Sequence, residues 1–139
     1  MGATNFENTL HGKTAVAAFD ALRSEIDSTD GYSGTIAEKD GFIEFTLPAR
    51  VSADWAITWL DAADYFLNSV DKQAKAEFEK CCPEQHRAWA LRVVKTYADK
   101  WAPAVCLRWS KSASATWKKE NGYKGCQGDV FTFCGLASC

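Results

Sequence analysis

Apolar and polar positions change period several times along the chain, and each change marks an element. Ala15, Ala18, Phe19, Leu22 and Ile26 recur at helical spacing, which predicts a helix capped by Thr14 and ended by Asp27-Ser28-Thr29-Asp30-Gly31. The dozen residues before it show no period and predict an extended lead-in at a sheet edge. Tyr32 to Leu47, YSGTIAEKDGFIEFTL, reads as two short β-prone runs around Asp40-Gly41. Asp-Gly in that setting predicts a hairpin, because a type I′ turn needs positive φ at both central residues. A two-residue loop would put Ile36, Ile43, Phe45 and Leu47 on one face. Thr35, Ala37, Lys39, Glu44 and Thr46 would take the other, with Lys39 within diagonal reach of Glu44. Phe42 would land on that polar face, beside the turn. Glu38 breaks the pattern, since it places a carboxylate on the apolar face opposite Ile43.

Beyond Pro48, Ser52 is positioned to cap a second helix. Its apolar positions, from Trp55, Ala56, Trp59 and Leu60 to Ala63, Phe66, Leu67 and Val70, cover more than half the circumference. A face that broad implies contact with two layers or with a partner chain, so a homo-oligomer is anticipated. Asp71 begins a more polar helix through Cys82, and Pro83 opens a further one whose buried stripe is Ala90, Leu91, Val94, Tyr97, Ala98 and Trp101. His86 falls in the exposed first turn of that helix. After Pro103, Ala104 to Lys111 alternates as a strand, and Ala113 to Lys119 reads as another. A Gly-rich loop, Glu120 to Asp129, precedes a final strand from Val130 to Cys134, with Gly135 to Ser138 as its exit. The order predicts one α+β domain, 1–139, in which an antiparallel sheet contains the central hairpin (about 32–47) and the C-terminal strands. Three to four helices pack on it. The absence of a βαβ alternation argues against a doubly wound nucleotide fold.

A net charge of −2 gives no basic surplus to drive nucleic-acid binding by counterion release. No apolar run approaches the roughly 18 residues of a membrane span, and the N-terminal residues lack a secretory pattern, so a cytoplasmic location is expected. Six cysteines include no C-x-x-C, and His11 and His86 complete no ligand spacing, so neither zinc nor another cofactor is expected. Standard hydrolase, zincin and phosphate-loop signatures are missing, and the spacing of Gly122, Gly125 and Gly128 does not make one. The chain is therefore read as a binder, with Glu38 the residue on which an enzyme would have to rely.

Six tryptophans in one small domain are more informative. Trp109 and Trp117 differ from the rest in having cationic neighbours, Arg108, Lys111, Lys118 and Lys119. A basic–aromatic combination can stack a base and pair a phosphate. The candidate ligand-binding set is thus Tyr32, Thr35 and Glu38 from the hairpin with Arg108, Trp109 and Lys111 from the late strands.

Gly31 to Lys39 (GYSGTIAEK), the earlier GKTAVAAF, Asp99 to Ala104 (DKWAPA) and Phe131 to Ser138 (FTFCGLAS) together resemble segments of small uncharacterised proteins from bacteriophages and related mobile elements. The resemblance touches both ends of the chain and leaves Val51 to Ala98 uncovered. It implies a setting in the host cell: a counter-defence protein that sequesters a small nucleotide-derived immune signal. The alternatives are an inhibitor docking on a host defence complex, such as CRISPR or restriction machinery, and a small enzyme using Glu38.

Overall fold

The computed structural model describes residues 3–29 and 35–138. Strand β1 (Ala3–Gly12) leads into helix α1 (Ala15–Thr29), followed by a 3-10 turn (Ile36–Glu38) and strand β2 (Phe42–Thr46). Helices α2 (Ala53–Asn68), α3 (Lys72–Cys81) and α4 (Glu84–Tyr97) come next. Strand β3 (Ala104–Arg108), helix α5 (Lys111–Glu120) and strand β4 (Asp129–Ser138) complete the fold. It is an α+β fold with one four-stranded sheet in the order β1-β4-β3-β2. Strand β4 lies antiparallel to both β1 and β3, whereas β2 and β3 run parallel, so the sheet is mixed.

Local chemistry starts the helices where hydroxyls and carboxylates can take the first free N–H groups. Thr14 Oγ1 accepts from Ala17 N, Ser52 from Trp55 N, Asp71 from Gln73 N and Ser110 from Ala113 N. Both faces of the sheet are then covered. On one, Phe19 and Leu22 of α1 pack with Ile36 against Cys106, Phe131 and Phe133. On the other, Trp59 and Leu60 of α2 and Val94 and Tyr97 of α4 pack against Val105, Leu107 and Cys134. This double cover buries every residue from Ala104 to Leu107, the pattern of a strand with no solvent face.

The structure corrects several expectations. No hairpin forms between residue 35 and Leu47: Thr35 Oγ1 takes the N–H of Ala37 and starts the 3-10 turn, with Ile36 fully buried beneath α1. Lys39 does not reach for Glu44. Its ammonium donates to the carbonyls of Lys100 and Ala102 at 2.7 and 2.8 Å, and that attraction draws the side chain inside. Glu44 pairs with Arg108 instead, and Phe42, assigned to the polar face, packs against Phe19 and Phe133. The partner of β2 is therefore β3, reached through a crossover carrying α2, α3 and α4, rather than a neighbouring strand across a tight turn.

Residues 113–119 are helical, not extended. Ser110 caps them, and Ser114, the buried position of α5, accepts from Val130 N at 2.9 Å and ties the helix to the sheet. The last strand continues through Gly135 to Ser138, because β1 pairs with it along its whole length. The fold has five α-helices among the described residues, and α3 packs against α2. The Gly-rich segment is held rather than loose: Lys118 Nζ donates to the carbonyls of Cys126 and Gly128, and Tyr123 stacks on Trp117 and His11.

Candidate functional site

Three recesses meet where the chain leaves β2 and enters α2. The segment Ala49 to Ser52 links them, with Ala49 to Val51 lining the first, Arg50 to Ser52 the second and Ser52 the third. Arg50 sits there with φ of 65°, a left-handed conformation that a β-carbon disfavours by about 1–2 kcal/mol. It makes the sharp bend that lets Ser52 cap α2 directly after Pro48.

The first recess, about 370 Å³, lies between that wall, α2 and the junction of α3 with α4. Trp55 and Trp59, four residues apart on one side of α2, supply its aromatic walls. Trp55 is 61% exposed and Trp59 only 3%. The His86 ring stacks on Trp59 with centroids 5.1 Å apart and planes 16° from parallel, so this histidine is half-buried rather than a surface residue. Trp59 Nε1 is buried without a hydrogen-bond partner among the described residues. Such a donor carries the full cost of its lost hydration. Arg50 and Gln85 add further donors at the rim. Cys81 also borders the recess. Burial pushes its thiol up from the ordinary range, so it is a neutral apolar wall and not a thiolate nucleophile.

The second recess, about 360 Å³, shares Arg50 and Val51 with the first and is otherwise lined by Ser52, Ser110, Ser112, Ala113 and Thr116. Among the described residues no carboxylate lines either. The third, about 260 Å³, shares Ser52 with the second and runs under the start of α2 to Thr9, Trp109 and Trp117, with Asp54 at its edge. Its floor is fixed: Trp109 Nε1 donates to Thr132 Oγ1 at 2.8 Å, and Thr132 shares a 2.8 Å hydrogen bond with Thr9. The basin as a whole can stack planar rings at two places and bind anionic or hydroxyl-rich groups between them.

The residues anticipated from sequence divide. Trp109 lines the third recess, and Lys111 is the first residue of α5, next to Ser110 and Ser112 of the second. Arg108 is committed elsewhere, donating to Asp129 at 2.7 Å and pairing with Glu44 at 3.5 Å while lying over the Phe131 ring. Thr35 caps the 3-10 turn, and Glu38 borders a separate cavity of about 380 Å³ with Lys39, Lys100 and Trp101. Tyr32 lies outside the described residues. Phe42 pairs with Ala104 and Thr46 with Arg108, so the Glu38 and Arg108 ends of the parallel pair are separated by four strand steps. That is roughly 13 Å at ~3.3 Å per residue. The structure does not bring the two halves of the anticipated site together. Sequence reasoning missed Arg50, Trp55, Trp59, His86 and Ser112. The i, i+4 spacing of Trp55 and Trp59 beside a Ser cap was the available signal, and it was absorbed into the helix core.

Comparison with protein-family models, with curated proteins and with solved structures gives no match. The fold and the basin define an α+β protein with a preformed aromatic and hydroxyl-lined cleft. Among the described residues, no helix is long and apolar enough to cross a membrane.

Proposed function

We propose that this protein binds a small nucleotide-type ligand in the basin around Arg50, and that it acts by holding the ligand rather than transforming it. One observation carries the reading. An aromatic recess adjoins, through a shared arginine, a recess lined by four hydroxyl side chains, and among the described residues neither is lined by a carboxylate. A base stacks on aromatic faces, a ribose and phosphate take hydroxyls and guanidinium, and carboxylates would repel the phosphate. The resemblance to phage proteins supplies the setting: sequestration of a nucleotide-derived signal made by the host in its own defence.

Thermal denaturation with and without nucleoside monophosphates tests this. At a hundredfold excess over Kd the ligand should stabilise the fold by about 2.7 kcal/mol. Trp55→Ala should reduce the shift while leaving the unliganded midpoint within about a degree or two, because Trp55 is largely exposed. Absence of any nucleotide-dependent shift at millimolar ligand, together with a bare apo mass in native mass spectrometry of protein from cells making such signals, would refute it.

A further inference from the structure

We infer that the ligand is a dinucleotide, with one base seated against Trp55 and Trp59 and the second in the recess of Trp109 and Trp117. This rests on the nucleotide reading above and narrows it. The observation is the order of the recesses. They are contiguous, sharing Arg50 and Val51 and then Ser52, and they run aromatic, hydroxyl-and-arginine, aromatic. A mononucleotide has one ring system and would leave one aromatic seat empty. Two bases joined by a sugar–phosphate link repeat the same order. Along α2, Trp55 and Trp59 of the first seat lie three and seven residues beyond Ser52, which borders the second, about 4.5 and 10 Å of helix at 1.5 Å per residue.

The two seats differ in chemistry, so they select different edges. The first offers the guanidinium of Arg50 with Gln85 and His86, each of which can donate or accept, and has no carboxylate among the described residues. The second is bordered by Asp54, the one carboxylate in the three linings among the described residues. A carboxylate accepts two parallel hydrogen bonds from the adjacent N–H groups of guanine, so a guanine belongs in the second seat. In that seat the indole N–H of Trp109 is already spent on Thr132 Oγ1, so Asp54 is the charged group that can read the base.

The experiment is isothermal titration of 5′-phosphorylated ApG and GpA, and their cyclic dinucleotide, against AMP and GMP as references. Wild type is compared with Trp55→Ala, Asp54→Asn and Arg50→Asn. Trp55 and Asp54 are exposed and Asn tolerates the left-handed backbone at position 50, so each variant should keep the wild-type thermal midpoint closely enough to be read. At least one dinucleotide should bind ~10–100-fold more tightly than either mononucleotide, the gain that a second stacked base brings. Trp55→Ala and Asp54→Asn should each return its affinity to the mononucleotide level, and Arg50→Asn should weaken all of the ligands. Equal affinity for mono- and dinucleotides would overturn the two-base assignment and leave the nucleotide reading standing. Loss on Trp55→Ala with no change on Asp54→Asn would also overturn it. No binding by any probe would overturn both.

Discussion

Gly41 and Gly128 respond oppositely to the same substitution, and the pair tests the fold at the point where sequence and structure diverge. A type I′ turn at Asp40-Gly41 would hold Gly41 at positive φ, and alanine there would cost about 1–2 kcal/mol. In the structure Gly41 is not among the residues of positive φ, a β-carbon added to it meets nothing within 4 Å, and its carbonyl accepts from Ala104 N at 3.0 Å. Alanine keeps that bond and removes freedom from the unfolded chain, so Gly41→Ala should stabilise by about 0.4–1 kcal/mol. Gly128 has φ of +95°, and an added β-carbon would collide with the carbonyl oxygen of Gly12 and lie 2.7 Å from Lys13 Cα. Those atoms are backbone at the end of the β1–β4 ladder, where Gly12 faces Asp129. Conformational strain of about 1–2 kcal/mol adds to overpacking of about 1–3 kcal/mol, so Gly128→Ala should destabilise by roughly 2–5 kcal/mol. Urea denaturation followed by tryptophan fluorescence, with a common m-value, reads both. A cost above about 1 kcal/mol at Gly41, or a neutral Gly128→Ala, would refute this account of how β2 and β4 are placed.

Lys39→Met keeps the aliphatic stem and strands the carbonyls of Lys100 and Ala102. It should cost about 2–4 kcal/mol in a denaturant titration and raise amide exchange from Lys100 to Ala102. Above neutral pH, burial holds the thiols of Cys82, Cys106 and Cys134 and the phenol of Tyr97 protonated in the fold, with Cys82 pushed up to about 11 and Cys106 to about 12. The unfolded chain releases those protons first and so binds fewer. Stability should therefore be intact below the ordinary thiol range near ~8.5 and fall as pH rises beyond it. Each group still protonated only in the fold adds about 1.4 kcal/mol per pH unit to that slope. Thermal midpoints from pH 7 to 11 check this, Cys106→Ala should flatten the profile, and a level profile to pH 10.5 would contradict it. Arg108→Ala, in a half-exposed ion pair, should cost no more than about 1 kcal/mol and leave nucleotide affinity unchanged, as titration of the variant will show.

Helix caps were legible because they are written within a few residues. Thr14, Ser52 and Asp71 each accept from an N–H two or three positions on, as their residue types require. The same rule applied to Ser110 would have found α5, but the alternation of Ala113, Ala115 and Trp117 reads equally as a strand, and small residues carry little periodic signal. The parallel pairing of β2 with β3 was not legible. Its determinants are the capture of Lys39 by carbonyls far along the chain and the burial of Ile36 under α1, and no local pattern encodes either. The candidate site followed the same division. Trp109 stood out in the sequence through its cationic neighbours and borders the third recess, whereas Arg50 gave no warning of positive φ. Trp55 and Trp59 matched the helical period too well to be set apart from the core.

The position of β4 governs the order in which the molecule can assemble. The strand that follows all the others in the chain occupies the interior of the sheet, between β1 and β3. During vectorial synthesis β1 emerges with no strand to pair with, and β3 can pair only with β2. Until Asp129 to Ser138 arrives, both present open hydrogen-bonding edges, the kind that recruit foreign strands. Ala3 meets Ser138 only at the end, so the earliest strand waits longest for its partner. That arrangement makes folding slow and non-local, and it places the greatest hazard of misassembly in the nascent chain rather than in the finished protein.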